Sequence, residues 1–375
     1  MTILIIPDSF KDSISSEEII EALSRGIHAI DEKIKIVGIP ASDGGEGFLN
    51  AVKNQVSTET IYHDALDPIG RPVEVEYLLN SSGESAYIEL AMASGLECLD
   101  SSERNPMFTT TVGTGLQILH AINKGARKVF IGLGGSATND GGIGLAGALG
   151  YSFQDATGET LLPVGMNLER IESISGEFDF PHVQIIGVAD VTNPLIGKTG
   201  AAFIYAPQKG ASESEVNALD SGLLNLSNKA REQLGSDFSG RPGAGAAGGA
   251  GYGLMTFLNA QLVTGMDFFF ELSQLERVIE EIGVDLIITG EGKLDNQSLN
   301  GKLISGLKSF AKKHDIPIMA ICGQLGLTEP QYLEFGIDYV TEIAGPEVDV
   351  EDRIKNASRL IENIASVILS KFTPR

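Results

Sequence analysis

The first thirty residues, MTILIIPDSFKDSISSEEIIEALSRGIHAI (1–30), decide the fold. TILII (2–6) reads as a continuous apolar run, short enough for a strand buried on both faces. After a polar loop, residues 15–30 place apolar side chains at helical spacing, with Ser15 or Ser16 as the N-cap. A second run, Ile34 to Ile39, leads into ASDGGEG (41–47) and a helix beginning at Phe48, so the N-terminus reads as two βα units. The far end repeats this order. VDLIIT (284–289), IPIMAICG (316–323) and FGIDYV (335–340) alternate with helical patterns at 302–313 and 351–370. Neither end has enough strands for a sheet of its own, so the two are expected to pair into one parallel-sheet domain, 1–68 with 282–375.

Between them, PVEVEYLL (72–79) and SAYIELA (85–91) read as paired strands, and short helices and strands dense in glycine follow. This describes an inserted second α/β domain at 69–281, entered at a turn marked by Asp67, Pro68 and Gly70. The glycine-rich stretch GRPGAGAAGGAGYG (240–253) runs directly into a helical pattern, which suits a backbone-rich loop better than a flexible linker. A chain of 375 residues also exceeds the size at which a single core keeps growing.

Charge and composition narrow the ligands. The net charge of -23 excludes a nucleic-acid backbone or an anionic membrane as partner, since no basic stripe offsets the acidic field. An anionic substrate therefore needs local lysines, helix N-termini or a bound cation. No stretch resembles a membrane span, and the start lacks the basic n-region of a signal peptide, so a cytoplasmic protein is expected. Cys98 and Cys322 lie far apart without a C-x-x-C pattern, which argues against a disulfide framework or structural zinc and makes both small core residues. The five histidines show no zinc-hydrolase spacing, and no G-x-S-x-G elbow occurs.

Familiar nucleotide signatures fail or half-match. IGKTG (196–200) has Thr192 where a P-loop needs its first glycine. Gly243 to Gly248 spells G-x-G-x-x-G after a polar segment with no strand. Gly132-Leu-Gly134-Gly-Ser-Ala137 does follow the strand KVFI (128–131), and it sustains a nicotinamide-dependent hydroxy-acid oxidoreductase as an alternative, although Asn139 to Gly142 interrupt the place of the helix. A noncatalytic small-anion sensor using the same glycine-rich loops is a second alternative. What recurs is a loop of Gly with Asp, Ser, Thr or Lys just after an apolar strand: PDSFKDS (7–13), SDGGEG (42–47), TGEGKLDNQS (289–298), and Asp190 after VQIIGVA (183–189). Such loops lie beyond the C-terminal ends of strands, where open α/β sheets bind ligands. Their carboxylates, lysines and exposed backbone are the parts that phosphoryl transfer uses.

Taken in order, these strings resemble the class I glycerate kinase family. The resemblance rests on PDSFKDS at 7, DGGEG at 43, VGTG at 112, GLGGSATNDGG at 132, GVADVTNPL at 187, YAPQKGA at 205, GAGAAGGAGYGL at 243, TGMDFF at 264 and TGEGKLDNQSLNGK at 289. It spans nearly the full chain. It implies a flavodoxin-like domain built from both chain ends, a second α/β domain inserted between them, and transfer of the ATP γ-phosphoryl group to D-glycerate to give 2- or 3-phosphoglycerate. Roles for single residues come from side-chain chemistry. Asp190 is expected as general base or Mg²⁺ ligand, with Asp43 sharing the metal. Lys11 and Lys293 neutralise phosphoryl or carboxylate oxygens, while Asp8, Ser9, Asp43, Glu46 and Asn193 hold the substrate. Gly134, Gly135, Ser136, Thr138 and Asn139, with Gly290 and Glu291, cradle the nucleotide phosphates.

Overall fold

A computed structural model describes residues 1–10, 13–41, 48–295, 302–345 and 348–372. In chain order its strands are β1 (Thr2–Pro7), β2 (Lys35–Gly38), β3 (Thr58–Leu66), β4 (Pro72–Asn80), β5 (Ser85–Glu89), β6 (Lys128–Gly132), β7 (Ser152–Gln154), β8 (Ser173–Ser175), β9 (Gln184–Val188), β10 (Gln261–Val263), β11 (Leu286–Leu294), β12 (Ile318–Leu325) and β13 (Tyr339–Glu342). The chain divides into two compact units, 1–43 with 266–375, and 44–265.

In the first unit the sheet order is β2-β1-β11-β12-β13, with every pairing parallel. Counted within the unit this is 2-1-3-4-5, the flavodoxin-like order. The reason lies in β1, where Ile3, Leu4, Ile5 and Ile6 are all fully buried. Ile3 and Ile5 join one apolar cluster, Leu4 and Ile6 another, so the strand is covered on both faces. At roughly 1.5–3 kcal/mol for each side chain removed from water, only the centre of a doubly covered sheet accommodates such a run. The helix Ser16–His28 then starts at a capping box, Ser15 accepting from the Glu18 N–H and Glu18 from that of Ser15, while Glu17 and Glu18 complement the helix dipole.

The second unit holds a six-stranded sheet, β10-β9-β6-β5-β4-β3, and the small pair β7-β8. From β10 to β5 the pairings are parallel, and β5, β4 and β3 then fold back antiparallel. The chain passes from one unit to the other at 43/44 and 265/266, whereas the expected boundaries lie near 68 and 282. β3 pairs with β4 over nine residues and so belongs to the second unit, as does Phe48, which packs over Gly132. At the other boundary Met266, Phe269 and Leu275 share a cluster with Leu4, Ile6 and Ile287, which draws 266–282 into the first unit. Among the described residues no helix is long and apolar enough to cross a membrane. Cys322 is buried as expected, whereas Cys98 is only half-buried.

Candidate functional site

Parallel strands bring their C-terminal ends to one side, and in the first unit those of β1, β11, β12 and β13 open into a cleft of about 920 Å³. β1 and β11 are the neighbours at which the strand order reverses, the point where doubly wound sheets bind ligands. Beyond β1 the Asp8 N–H donates to Gly290 O (2.9 Å) and Asp8 Oδ1 accepts from the Ser9 N–H (2.7 Å), which fixes the Asp8 carboxylate at the turn. GEGKL, expected as a loop, is strand: β11 continues to Leu294, in register with Leu325 of β12. The cause is the period of two, Leu294 inward and fully buried, Lys293 outward and exposed. Because β1 stops at the Pro7–Gly290 pair, Glu291, Gly292 and Lys293 project past it as one wall of the cleft.

The opposite wall hangs on Arg353. Its Nη1 donates to Gly323 O (2.8 Å), Nη2 to Gly345 O (2.7 Å) and Nε to Val348 O (2.9 Å), with Glu342 3.7 Å away. Glu342 Oε1 in turn accepts from the Leu325 N–H (3.1 Å). The planar guanidinium thus ties the end of β12 to the segment that follows β13, a geometry a lysine could not reproduce. No sequence pattern marked Arg353. The cleft collects Asp8, Ser9, Glu291 and Lys293 from the expected site residues, with Gly290 just beneath; Lys293 lies 3.0 Å from Asp295. Lys11, Asp43 and Glu46 lie outside the described residues.

In the second unit the loop after β6 does not form a dinucleotide turn. Its next helix begins only at Ile143, and Ser136 through Asp140 are buried. Gly134 and Gly135 stay at least partly exposed, but Ser136, Thr138 and Asn139 are buried. Two buried ionisable groups explain this. Asp140 accepts from the Thr111 N–H (2.8 Å), Thr111 Oγ1 (2.7 Å), Gly142 N–H (3.0 Å) and Gly144 N–H (3.2 Å). Lys209 Nζ donates to Ser136 Oγ and to Thr138 O, both at 2.7 Å. Burial pushes the Asp140 carboxyl up against the pull of those four donors. It also pulls the Lys209 ammonium down to about 7, with the Asp140 charge opposing. Lys209 sits inside YAPQKGA, where the sequence gives a lysine no sign of being buried.

The segment 243–253 packs on this loop. The Gly141 N–H donates to Gly248 O (3.1 Å), and Ala247, Gly248 and Gly249 take left-handed backbone at φ 51°, 65° and 90°. A Cβ on Gly248 would run into the Thr138 carbonyl, so this glycine serves backbone-to-backbone contact, not ligand approach. Asp190 stands two residues past β9, half-buried, and its Oδ1 accepts from the Gly265 N–H (2.9 Å). A Cβ at Gly265 would lie 2.9 Å from Asp190 Oδ2. Asn193 has both ends of its amide engaged, Nδ2 with Thr199 O (2.8 Å) and Oδ1 with the Tyr205 hydroxyl (2.7 Å), so it ties its own loop together. Among the described residues no group of three or more His, Cys, Asp or Glu is arranged to hold a metal.

Comparison with known proteins matches residues 3–373 to the Glycerate kinase family. A glycerate kinase of Bacillus cereus is 39% identical over 98% of this chain and 98% of its own. Escherichia coli K12 glycerate 2-kinase is 38% identical over 98% of each. A crystal structure from Salmonella typhimurium LT2, described as glycerate kinase 2, superposes with a TM-score of 0.85 at 36% identity, covering 99% of both chains. Identity of this order, sustained across both units and joined to the same fold, is shared descent rather than a common scaffold: the chain belongs to the glycerate kinase family.

Proposed function

We propose that the protein transfers the γ-phosphoryl group of ATP to a hydroxyl of D-glycerate, as a soluble cytoplasmic enzyme that uses Mg²⁺. The observation that carries the reading is the cleft at the switch point of a flavodoxin-like sheet, lined by Asp8, Ser9, Glu291 and Lys293, in a chain of the glycerate kinase family. The hydroxyl oxygen attacks the γ-phosphorus, the bond to the β–γ bridging oxygen breaks, and ADP leaves. The proton goes to a carboxylate, for which Asp190 is the first choice. Lys293, with Lys11, offsets charge on the transferred group. Mg²⁺ takes hard oxygen ligands, commonly one or two carboxylates beside the phosphates. The carboxylates of Asp43 and Asp190 are donors of that kind, and bound metal would neutralise phosphate charge. The name of the Escherichia coli relative, glycerate 2-kinase, favours the 2-hydroxyl as acceptor.

Coupled detection of ADP with D-glycerate tests the activity, and phosphorus NMR of the product tests the position. The expected product carries phosphate on O2. Absence of glycerate-dependent ADP release would sink the proposal, and a 3-phosphate would correct its regiochemistry.

A further inference from the structure

We infer that the cleft of the first unit binds the nucleoside end of ATP, base and ribose, and is not the glycerate site; this rests on the kinase reading above. Size is the first reason. At about 920 Å³ the cleft lies near the top of the roughly 300–1,000 Å³ that pockets for drug-sized ligands occupy. A three-carbon acid would leave most of it empty.

Charge is the second. Four carboxylates line the cleft, Asp8, Glu291, Glu342 and Asp349, against two cations, Lys293 and Arg353. Arg353 is already engaged, turning three edges onto backbone carbonyls, and Lys293 lies 3.0 Å from Asp295. A small carboxylate would meet net negative charge with little to offset it. A nucleoside is uncharged and presents amino and hydroxyl donors to carboxylates and carbonyls. It also brings a flat apolar ring, and Ile343, Val348 and Ile354 supply an apolar side on the wall that Arg353 braces. Ile354 is 42% exposed, a large aliphatic side chain left in water at the rim. In this arrangement Arg353 is a positioning residue, since it holds Gly323, Gly345 and Val348 in place and reaches no ligand itself.

The chain contains no tryptophan, which makes a local reporter available. Ile354→Trp in the full-length protein places one indole at the rim, at a position exposed enough to accept it. ADP with Mg²⁺ should change its emission saturably, and D-glycerate alone should not. Leu333→Trp, 48% exposed and outside the lining, should respond to neither. A response to glycerate without one to ADP would overturn the inference. So would silence of the Ile354→Trp protein when calorimetry shows ADP bound, or no ADP binding at all, or equal responses at both positions. An ADP response in a protein without glycerate turnover would leave the cleft assignment standing and remove the kinase reading instead. As a check on Arg353, Arg353→Lys should raise KM for ATP several-fold while KM for glycerate and kcat hold. A shift confined to glycerate would place glycerate in the cleft.

Discussion

Asp190 is the residue whose role most needs separating from a simpler one. Its carboxylate accepts a hydrogen bond from the Gly265 N–H, so a purely structural task is already in view. Asp190→Asn keeps an oxygen for that bond and removes only the charge. A general base should then lose about 100-fold or more in kcat, with the urea midpoint nearly unchanged. If kcat survives, Asp190 is a turn anchor. Lys209 poses a different question, because it is fully buried and its ammonium is drawn down to about 7 from the usual 10.5. Above pH 7 the folded state releases this proton while the unfolded state keeps it, so unfolding takes up a proton and stability rises with pH. Between about pH 7 and 9 the wild-type protein should therefore gain stability relative to Lys209→Met, as read by chemical denaturation. A pH-independent gap between the two would mean the lysine stays charged beside Asp140.

The elements around that lysine meet backbone to backbone, and two glycines test the contact. Gly248→Ala would set a methyl group against the Thr138 carbonyl in a left-handed conformation, whereas Gly70, also left-handed at φ 87°, has nothing near its Cβ position. Gly70→Ala should cost about 1–2 kcal/mol for the backbone alone. Gly248→Ala should cost clearly more by urea denaturation, and equal losses would mean the loop yields. Another meeting of elements is polar: His63 on β3 stacks on His120 of the helix Val112–Asn123, ring centroids 4.0 Å apart, with the Tyr77 hydroxyl 3.0 Å from His120 Nδ1. Burial lowers both imidazoles below the usual 6.5; Asp64 opposes this at His63, while His63 and Lys124 add to it at His120. The unfolded chain protonates first as pH falls, so stability is lost below about 6.5. His63→Phe keeps a stacked ring and should flatten this loss between about pH 7 and 5.5. Such contacts explain what the sequence could and could not tell. β1 and an N-cap at Ser15 or Ser16 were legible because period and caps are local signals. GGSATND reads as a phosphate loop because its composition suits one; only the third dimension shows Lys209, 71 residues beyond Thr138, bonded to that residue and to Ser136. The continuation of β11 through GEGKL was hidden because glycine and charge read as a break, and its support is the β12 ladder. Asp8, Ser9, Glu291 and Lys293, which line the cleft, were singled out by position, each just past or at the end of an apolar strand.

At the scale of the whole molecule, fifty acidic residues against twenty-seven basic ones leave a charge of -23 around an enzyme whose proposed substrates are both anions. At low salt the field of that charge reaches an approaching ligand, because the screening length is about 30 Å at 0.01 M and about 8 Å at 0.15 M. Glycerate, a monoanion that carries no counter-cation of its own, should feel this repulsion. Raising ionic strength from about 0.02 to about 0.2 M, with free Mg²⁺ held constant, should therefore lower KM for glycerate, by roughly twofold for a surface potential near one kT. The value of kcat should hold, since a bound substrate in place of water is screened little by distant salt. This is the reverse of the usual behaviour of an anion site built on a basic patch, where salt weakens binding. The sign thus reports which field the substrate meets. If KM rises with salt, a local cluster of cations around glycerate outweighs the acidic surface, and Lys11 becomes the first residue to replace in search of it.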